Sequence, residues 1–141
     1  MISALFLAAM IHVESHGDDR AINYKEQAYG CLQIRAGARQ DFHTWTGRKV
    51  RELDCFDRSL SIEIFTAYMA HYCTETRLGH KPTEVDVARI WDGGPLGFKK
   101  LHTLTYWAKV QREMLRLRAA GEDPSGTLPP PPPGLECHGH P

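Results

Sequence analysis

The chain reads as a mainly helical domain, α+β in detail, built around one enclosed helix with a short β-hairpin beside it. Three observations predict this. Apolar residues recur at i, i+3, i+4 and i+7 over several long stretches, the rhythm of a helix face. A turn-rich segment at 21–34 breaks that rhythm. Residues 57–77 carry apolar side chains on two helical faces, Leu60, Ile64, Ala67 and Tyr68 on one and Ile62, Phe65, Met69 and Tyr72 on the other, so this helix is expected at the centre.

The elements follow in order. A first helix is predicted over 2–15, where Ile2, Leu5, Phe6, Ala9, Met10 and Val13 form one stripe and Gly17 ends it. A polar loop through Asp18, Asp19 and Arg20 leads into 21–34, with room for a hairpin and a turn at Gly30-Cys31-Leu32-Gln33. A short helix is expected near 41–45, closed by Gly47. Asp57 is an N-cap candidate for the long helix at 57–77, which Gly79 would stop. Thr83, with Asp86 three residues on, marks a capping box for a helix ending at Gly93-Gly94-Pro95. The last helix, 103–119, turns Tyr106, Val110, Met114 and Leu117 inward and its Arg and Lys residues to water. From Gly121 the composition changes to Pro, Gly and Ser, with proline at every position of 129–133, which favours extended polyproline II and cannot build a core. The expected organisation is a domain at 1–120 and a tail at 121–141.

Composition narrows the function. At 141 residues the chain is long enough for one domain with a real core. Its formal net charge of zero lacks the basic excess of nucleic-acid binders. No stretch approaches the roughly 18 consecutive apolar residues of a membrane span. The opening residues have no Lys or Arg before their apolar run and continue in register into His12 and Glu14, so they read as a domain helix and not a secretory leader. Cys31, Cys55, Cys73 and Cys137 form no Cys-x-x-Cys pair and read as thiols, with a Cys55 to Cys73 bridge as the alternative. Cys137-His138-Gly139-His140 lacks zinc spacing, so no metal site is expected.

Glu14 stands out. It lies four residues after Met10, at the margin of the first helix's apolar stripe. Burial disfavours a charged carboxylate and raises its pKa, as a general acid near neutral pH requires.

Its sequence context strengthens that reading. Glu14-Ser15, then Tyr29-Gly30-Cys31-Leu32-Gln33-Ile34, then Ile90-Trp91-Asp92-Gly93-Gly94-Pro95, then Thr103-Leu104-Thr105-Tyr106-Trp107-Ala108-Lys109-Val110 follow one another along the chain. In that order they resemble the four signatures of the soluble lytic transglycosylase catalytic domain of the lysozyme-like superfamily: Glu-Ser, Gly-Leu-Met-Gln, Ala-Tyr-Asn and Tyr-Val-x-Lys-Val. The resemblance covers about residues 2–112. It departs at Asp92, where the family has Asn, and at Cys31, where it has Met. An ionised Asp only accepts hydrogen bonds, whereas Asn also donates.

The resemblance implies a lysozyme-like fold with a cleft and a peptidoglycan lytic transglycosylase activity. One glutamate would protonate the glycosidic bond, then take the proton of the sugar's own 6-hydroxyl to leave a 1,6-anhydro product. It makes Glu14 the acid and base, and sets Ser15, Tyr29, Gln33, Asp92 and Tyr106 around the substrate, with the Tyr106 hydroxyl near Glu14. It implies peptidoglycan strands as partner, no cofactor and a monomer. Two other readings stay open. One is a lysozyme-type hydrolase whose second carboxylate comes from Asp18, Asp19, Glu26, Asp41 or Asp92. The other is a non-catalytic glycan-binding or virion structural protein.

Overall fold

The structure, a computed structural model, describes residues 2–121; Met1, the proline run and the Cys137–His140 cluster lie outside the described residues. It is mainly α, as the pattern predicts. Among the described residues six α-helices run in the order α1 (Ala4–Ser15), α2 (Ala36–Thr46), α3 (Arg58–Tyr72), α4 (Glu75–Leu78), α5 (Glu84–Gly93) and α6 (Thr103–Ala119). A two-stranded hairpin, β1 (Ile22–Asn23) and β2 (Ala28–Tyr29), pairs Ile22 with Tyr29 and Asn23 with Ala28.

Helix α1 begins where Ser3 accepts a hydrogen bond from the Phe6 amide at 3.1 Å, satisfying one of the donors a helix N-terminus leaves open. It closes through His16, in the left-handed region at φ 54° with its amide on the His12 carbonyl, and Gly17 follows at φ 83°. The expected one-sided stripe is corrected: Phe6, Leu7, Ala8, Ala9, Met10 and Ile11 are all buried, so the middle of α1 is enclosed on every side. Two enclosed helices, α1 and α3, therefore share the core.

The long helix expected over 57–77 is broken. Asp57 caps it as predicted, accepting from the Leu60 amide at 3.1 Å, but α3 stops at Cys73, whose φ of −103° and ψ of 68° leave the helical region. Thr74 then caps α4 through the Arg77 amide, and Gly79 ends that helix. The short helix expected at 41–45 is longer, beginning at Ala36, and Gly47 closes it as expected. Helix α5 opens with the predicted capping box, the Asp86 carboxylate accepting from the Thr83 amide at 2.9 Å. Helix α6 has the predicted bounds, with Tyr106, Val110 and Leu117 buried and Met114 half-buried. It packs along α1 and α5.

Cys31, Cys55 and Cys73 are all buried, and Cys55 is a thiol, so the alternative bridge to Cys73 is not made. Burial pushes the Cys31 and Cys55 thiols up to about 11, away from reactive thiolate chemistry. Among the described residues no helix is long and apolar enough to cross a membrane.

Candidate active site

One cleft gathers residues from α1, the turn after β2, the start of α2, and α3 and α5. Its lining is Glu14, Gln33, Arg35, Gly37, Ala38, Tyr68, Trp91, Asp92 and Gly94. The wall carrying Glu14 depends on the turn at 30–33, and the sequence explains the turn. Gly30 sits at φ +85°, and a Cβ there would lie 2.0 Å from the Cys55 carbonyl oxygen, so only glycine fits. Gln33 is held at φ 54°, a conformation that costs a non-glycine residue about 1–3 kcal/mol unless its surroundings impose it. Those surroundings are present. The Gln33 amide donates to the Gly30 carbonyl at 3.0 Å, and Tyr29 and Ile34 exchange backbone bonds at 3.1 and 2.9 Å.

Neighbouring elements pin the same turn. The Ser15 hydroxyl, at the end of α1, donates to the Cys31 carbonyl at 2.8 Å. The Trp91 indole N–H, from α5, donates to the Leu32 carbonyl at 3.0 Å. The Gly30 amide donates to the Ala21 carbonyl at 2.8 Å. Trp91 is braced in turn by Phe65 and Tyr68 of α3, both edge-on to its ring with centroids 5.1 and 5.3 Å away.

Glu14 projects from the last turn of α1 into this cleft and accepts a hydrogen bond from the Tyr106 hydroxyl at 2.8 Å. Burial raises its carboxyl to about 7, and the negative charges of Asp92 and Glu26 add to the rise; the Tyr106 bond and the Arg35 charge act the other way. Burial, and after it the pairing with Glu14, push the Tyr106 phenol well above its ordinary value, so it remains a donor. Asp92 faces the cleft at the end of α5, and its carboxyl is also raised, chiefly by burial.

The sequence-expected site residues fall into two groups. Glu14, Gln33 and Asp92 line the cleft, and Tyr106 sits behind Glu14 as its hydrogen-bond donor. Ser15 and Tyr29 are set back. The Ser15 hydroxyl is spent on the Ile11 and Cys31 carbonyls, and Tyr29 is buried with its hydroxyl donating to the Gln27 side chain at 3.1 Å. The Gln33 side-chain nitrogen donates to the Gly30 and Ala21 carbonyls at 3.0 and 3.3 Å, so a sugar contact from this amide falls to its oxygen. Sequence reasoning missed Arg35, Tyr68 and the bracing role of Trp91. Arg35 follows directly on the turn segment, and that adjacency was the available signal.

Five carboxylates compete for a second role, and the structure separates them. Asp19 is paired with Arg58 at 2.7 Å, Asp18 accepts from the Arg20 amide at 2.9 Å, and Asp41 accepts from the Tyr72 hydroxyl at 2.7 Å; none of the three lines the cleft. Asp92 lines it, and Glu26, on the hairpin turn, is paired with the cleft residue Arg35 at 3.1 Å.

No family model matches the chain. Over 131 residues it is 28% identical to a protein named lysozyme from Ostrea edulis, an alignment spanning 80% of this chain and 93% of that protein. With its helices packed around a cleft and its short hairpin, the fold is lysozyme-like.

Proposed function

We propose that this chain cleaves the β-1,4 bond between N-acetylmuramic acid and N-acetylglucosamine in peptidoglycan strands, with Glu14 as proton donor. One observation carries the reading: a carboxyl group facing a cleft, bonded to Tyr106 and raised by burial to about 7. At neutral pH such a group holds a proton in a large fraction of molecules and releases it readily, the balance a general acid needs. A non-catalytic glycan binder has no use for that tuning.

The proton goes to the departing oxygen as the bond from the sugar's C1 breaks and positive charge develops on the ring. In the lyase reading, the Glu14 carboxylate so formed removes the 6-hydroxyl proton. That oxygen closes on C1, giving a 1,6-anhydro end and restoring the acid without water. The four ordered segments support this reading, as does the commitment of Asp18, Asp19 and Asp41 to partners elsewhere.

A second reading is a lysozyme-type hydrolase. Asp92 and Glu26 lie near enough for their charges to raise the Glu14 carboxyl, and the similarity to a lysozyme favours it too. One of the two would then activate a water or stabilise the cationic sugar. In either case residues 1–120 are the acting domain, working as a monomer on the bacterial cell wall without a cofactor, and 121–141 are dispensable for chemistry.

Product analysis separates the two. Peptidoglycan digested with the protein, reduced with borohydride and weighed by mass spectrometry reports the new muramic ends. A reducing end gains two hydrogens and an anhydro end does not. The expected outcome is mostly non-reducible ends; mostly reducible ends would make the protein a hydrolase.

A further inference from the structure

Carboxyl groups gather at the cleft. Glu14 and Asp92 line it, and Glu26 stands on the hairpin beside it. Peptidoglycan is itself anionic, with a carboxylate on the 3-O-lactyl group of each muramyl sugar or, where that group is amidated, on the peptide that extends from it. Ionised, Asp92 and Glu26 would repel such a ligand if nothing opposed them. Among the described residues lining the cleft, Arg35 is the one Lys or Arg.

Its geometry suits recognition. Arg35 is the residue before α2, with extended backbone and no side-chain capping bond, so its guanidinium is not consumed by the helix it precedes. One nitrogen, Nη2, donates to Glu26 at 3.1 Å, and the pair is half open to solvent, with side-chain exposures of 48% and 51%. Such exposed pairs hold only weakly. A guanidinium has five N–H donors in a planar fork matched to a carboxylate, so donors remain for a ligand. It shares the cleft lining with Glu14 and Asp92, and its positive charge opposes the rise of both carboxyls.

We infer that Arg35 is a specificity-determining residue, through which the cleft prefers a sugar bearing a carboxylate on its C3 substituent over the same sugar without one. The inference rests on the glycan reading above and deepens it, since it names the substituent that distinguishes muramyl strands from a neutral polymer of N-acetylglucosamine.

The test is calorimetric binding to the Glu14→Gln protein, which holds ligands without turning them over. Three tetrasaccharides serve as probes: neutral N-acetylglucosamine tetramer, the alternating N-acetylglucosamine–N-acetylmuramic acid tetramer with free lactyl carboxylates, and the same tetramer carrying its peptides. The parent is expected to prefer at least one anionic probe by about tenfold, the scale of one charge-assisted hydrogen bond. Adding Arg35→Gln should remove that preference by weakening the anionic probe alone, while Arg35→Lys, which keeps the charge, should retain part of it. Loss confined to the free-lactyl probe assigns the contact to the lactyl group, and loss confined to the peptide-bearing probe assigns it to the peptide; both support the inference. Equal affinity of the parent for all three probes, or equal weakening of all three by Arg35→Gln, would overturn it. Binding of none of the three would sink the glycan reading and this inference with it. Arg35 is exposed, and matching circular dichroism melts of the variants check that the fold is intact.

Discussion

The two walls of the cleft carry the same functional group in different settings. On one wall Glu14 leaves the end of an enclosed helix, meets the Tyr106 hydroxyl at 2.8 Å, and lies beside a turn that α1, α5 and the segment before β1 all pin. On the other, Asp92 sits at the end of α5, where Gly93 and Gly94 follow, with its carboxyl raised less markedly. Glu14, fixed and desolvated, has the setting proposed here for a proton donor; Asp92, with the smaller rise, is the residue proposed to contact a ligand. The difference teaches that burial by the surrounding fold, more than the carboxylate itself, makes an acid.

The sharpest way to break the contrast is Glu14→Gln. The amide keeps the shape and loses the proton, so turnover of peptidoglycan should fall at least about 100-fold, the usual contribution of acid-base catalysis. Stability should move the opposite way. A carboxyl raised from 4.5 to about 7 favours the protonated folded state, so its stabilising effect is complete below pH 4.5 and is lost as pH rises through 7. Above pH 7 the buried charge costs up to about 3 kcal/mol, and the amide avoids that cost. The variant should therefore melt higher than the parent at pH 8 and close to it at pH 4. A variant that stays within a few-fold of parental activity would remove Glu14 from the chemistry.

Gly30→Ala attacks the support instead of the acid. Its new methyl meets the Cys55 carbonyl and its φ is wrong for alanine, so a loss of about 2–4 kcal/mol is expected in chemical denaturation, with activity falling as the turn shifts. An unchanged denaturation midpoint would mean that the turn is less constrained than its bonds imply.

Tyr106→Phe removes the bond that favours the ionised Glu14. The Glu14 carboxyl should rise further, moving the alkaline limb of kcat/KM to higher pH, while loss of orientation lowers the maximum by about tenfold. A limb that moves to lower pH would contradict the assigned direction.

The smallest effect tests the far wall. Asp92→Asn restores the side chain of the resembled family and deletes a charge that raises Glu14, so the alkaline limb should shift slightly to lower pH with activity within a few-fold and the product unchanged. Activity lost together with a reducible product would instead make Asp92 the second carboxylate of a hydrolase.

How much of this was legible depends on whether a local rule decided the matter. The bounds of α6, the caps at Asp57 and Thr83 and the stop at Gly47 follow from short-range chemistry, and sequence reasoning found them. The break at Cys73 did not show, because neither glycine nor proline marks it before Gly79, and Thr74, an ordinary residue in a helix, turns out to cap the next one. The start of α2 was hidden for a similar reason: Arg35 makes no capping bond and Gly37 weakens the first turn. The full enclosure of α1 depends on what packs against it, which periodicity cannot report. In the site, the contact between Glu14 and Tyr106 spans 92 positions and was legible only through the family resemblance. Arg35 belongs to none of the four segments; its place directly after the turn was the one hint in the sequence, and the folded cleft is what singles it out.

The claim under all of this is that Glu14 holds its proton to near neutrality because the fold buries it. Carbon-13 NMR of the glutamate carboxyls, titrated from pH 3 to 9 and compared with the Glu14→Gln variant to assign the missing signal, measures that directly. The account predicts a midpoint of about 7 for Glu14. A midpoint near 4.5, its ordinary value, would contradict it.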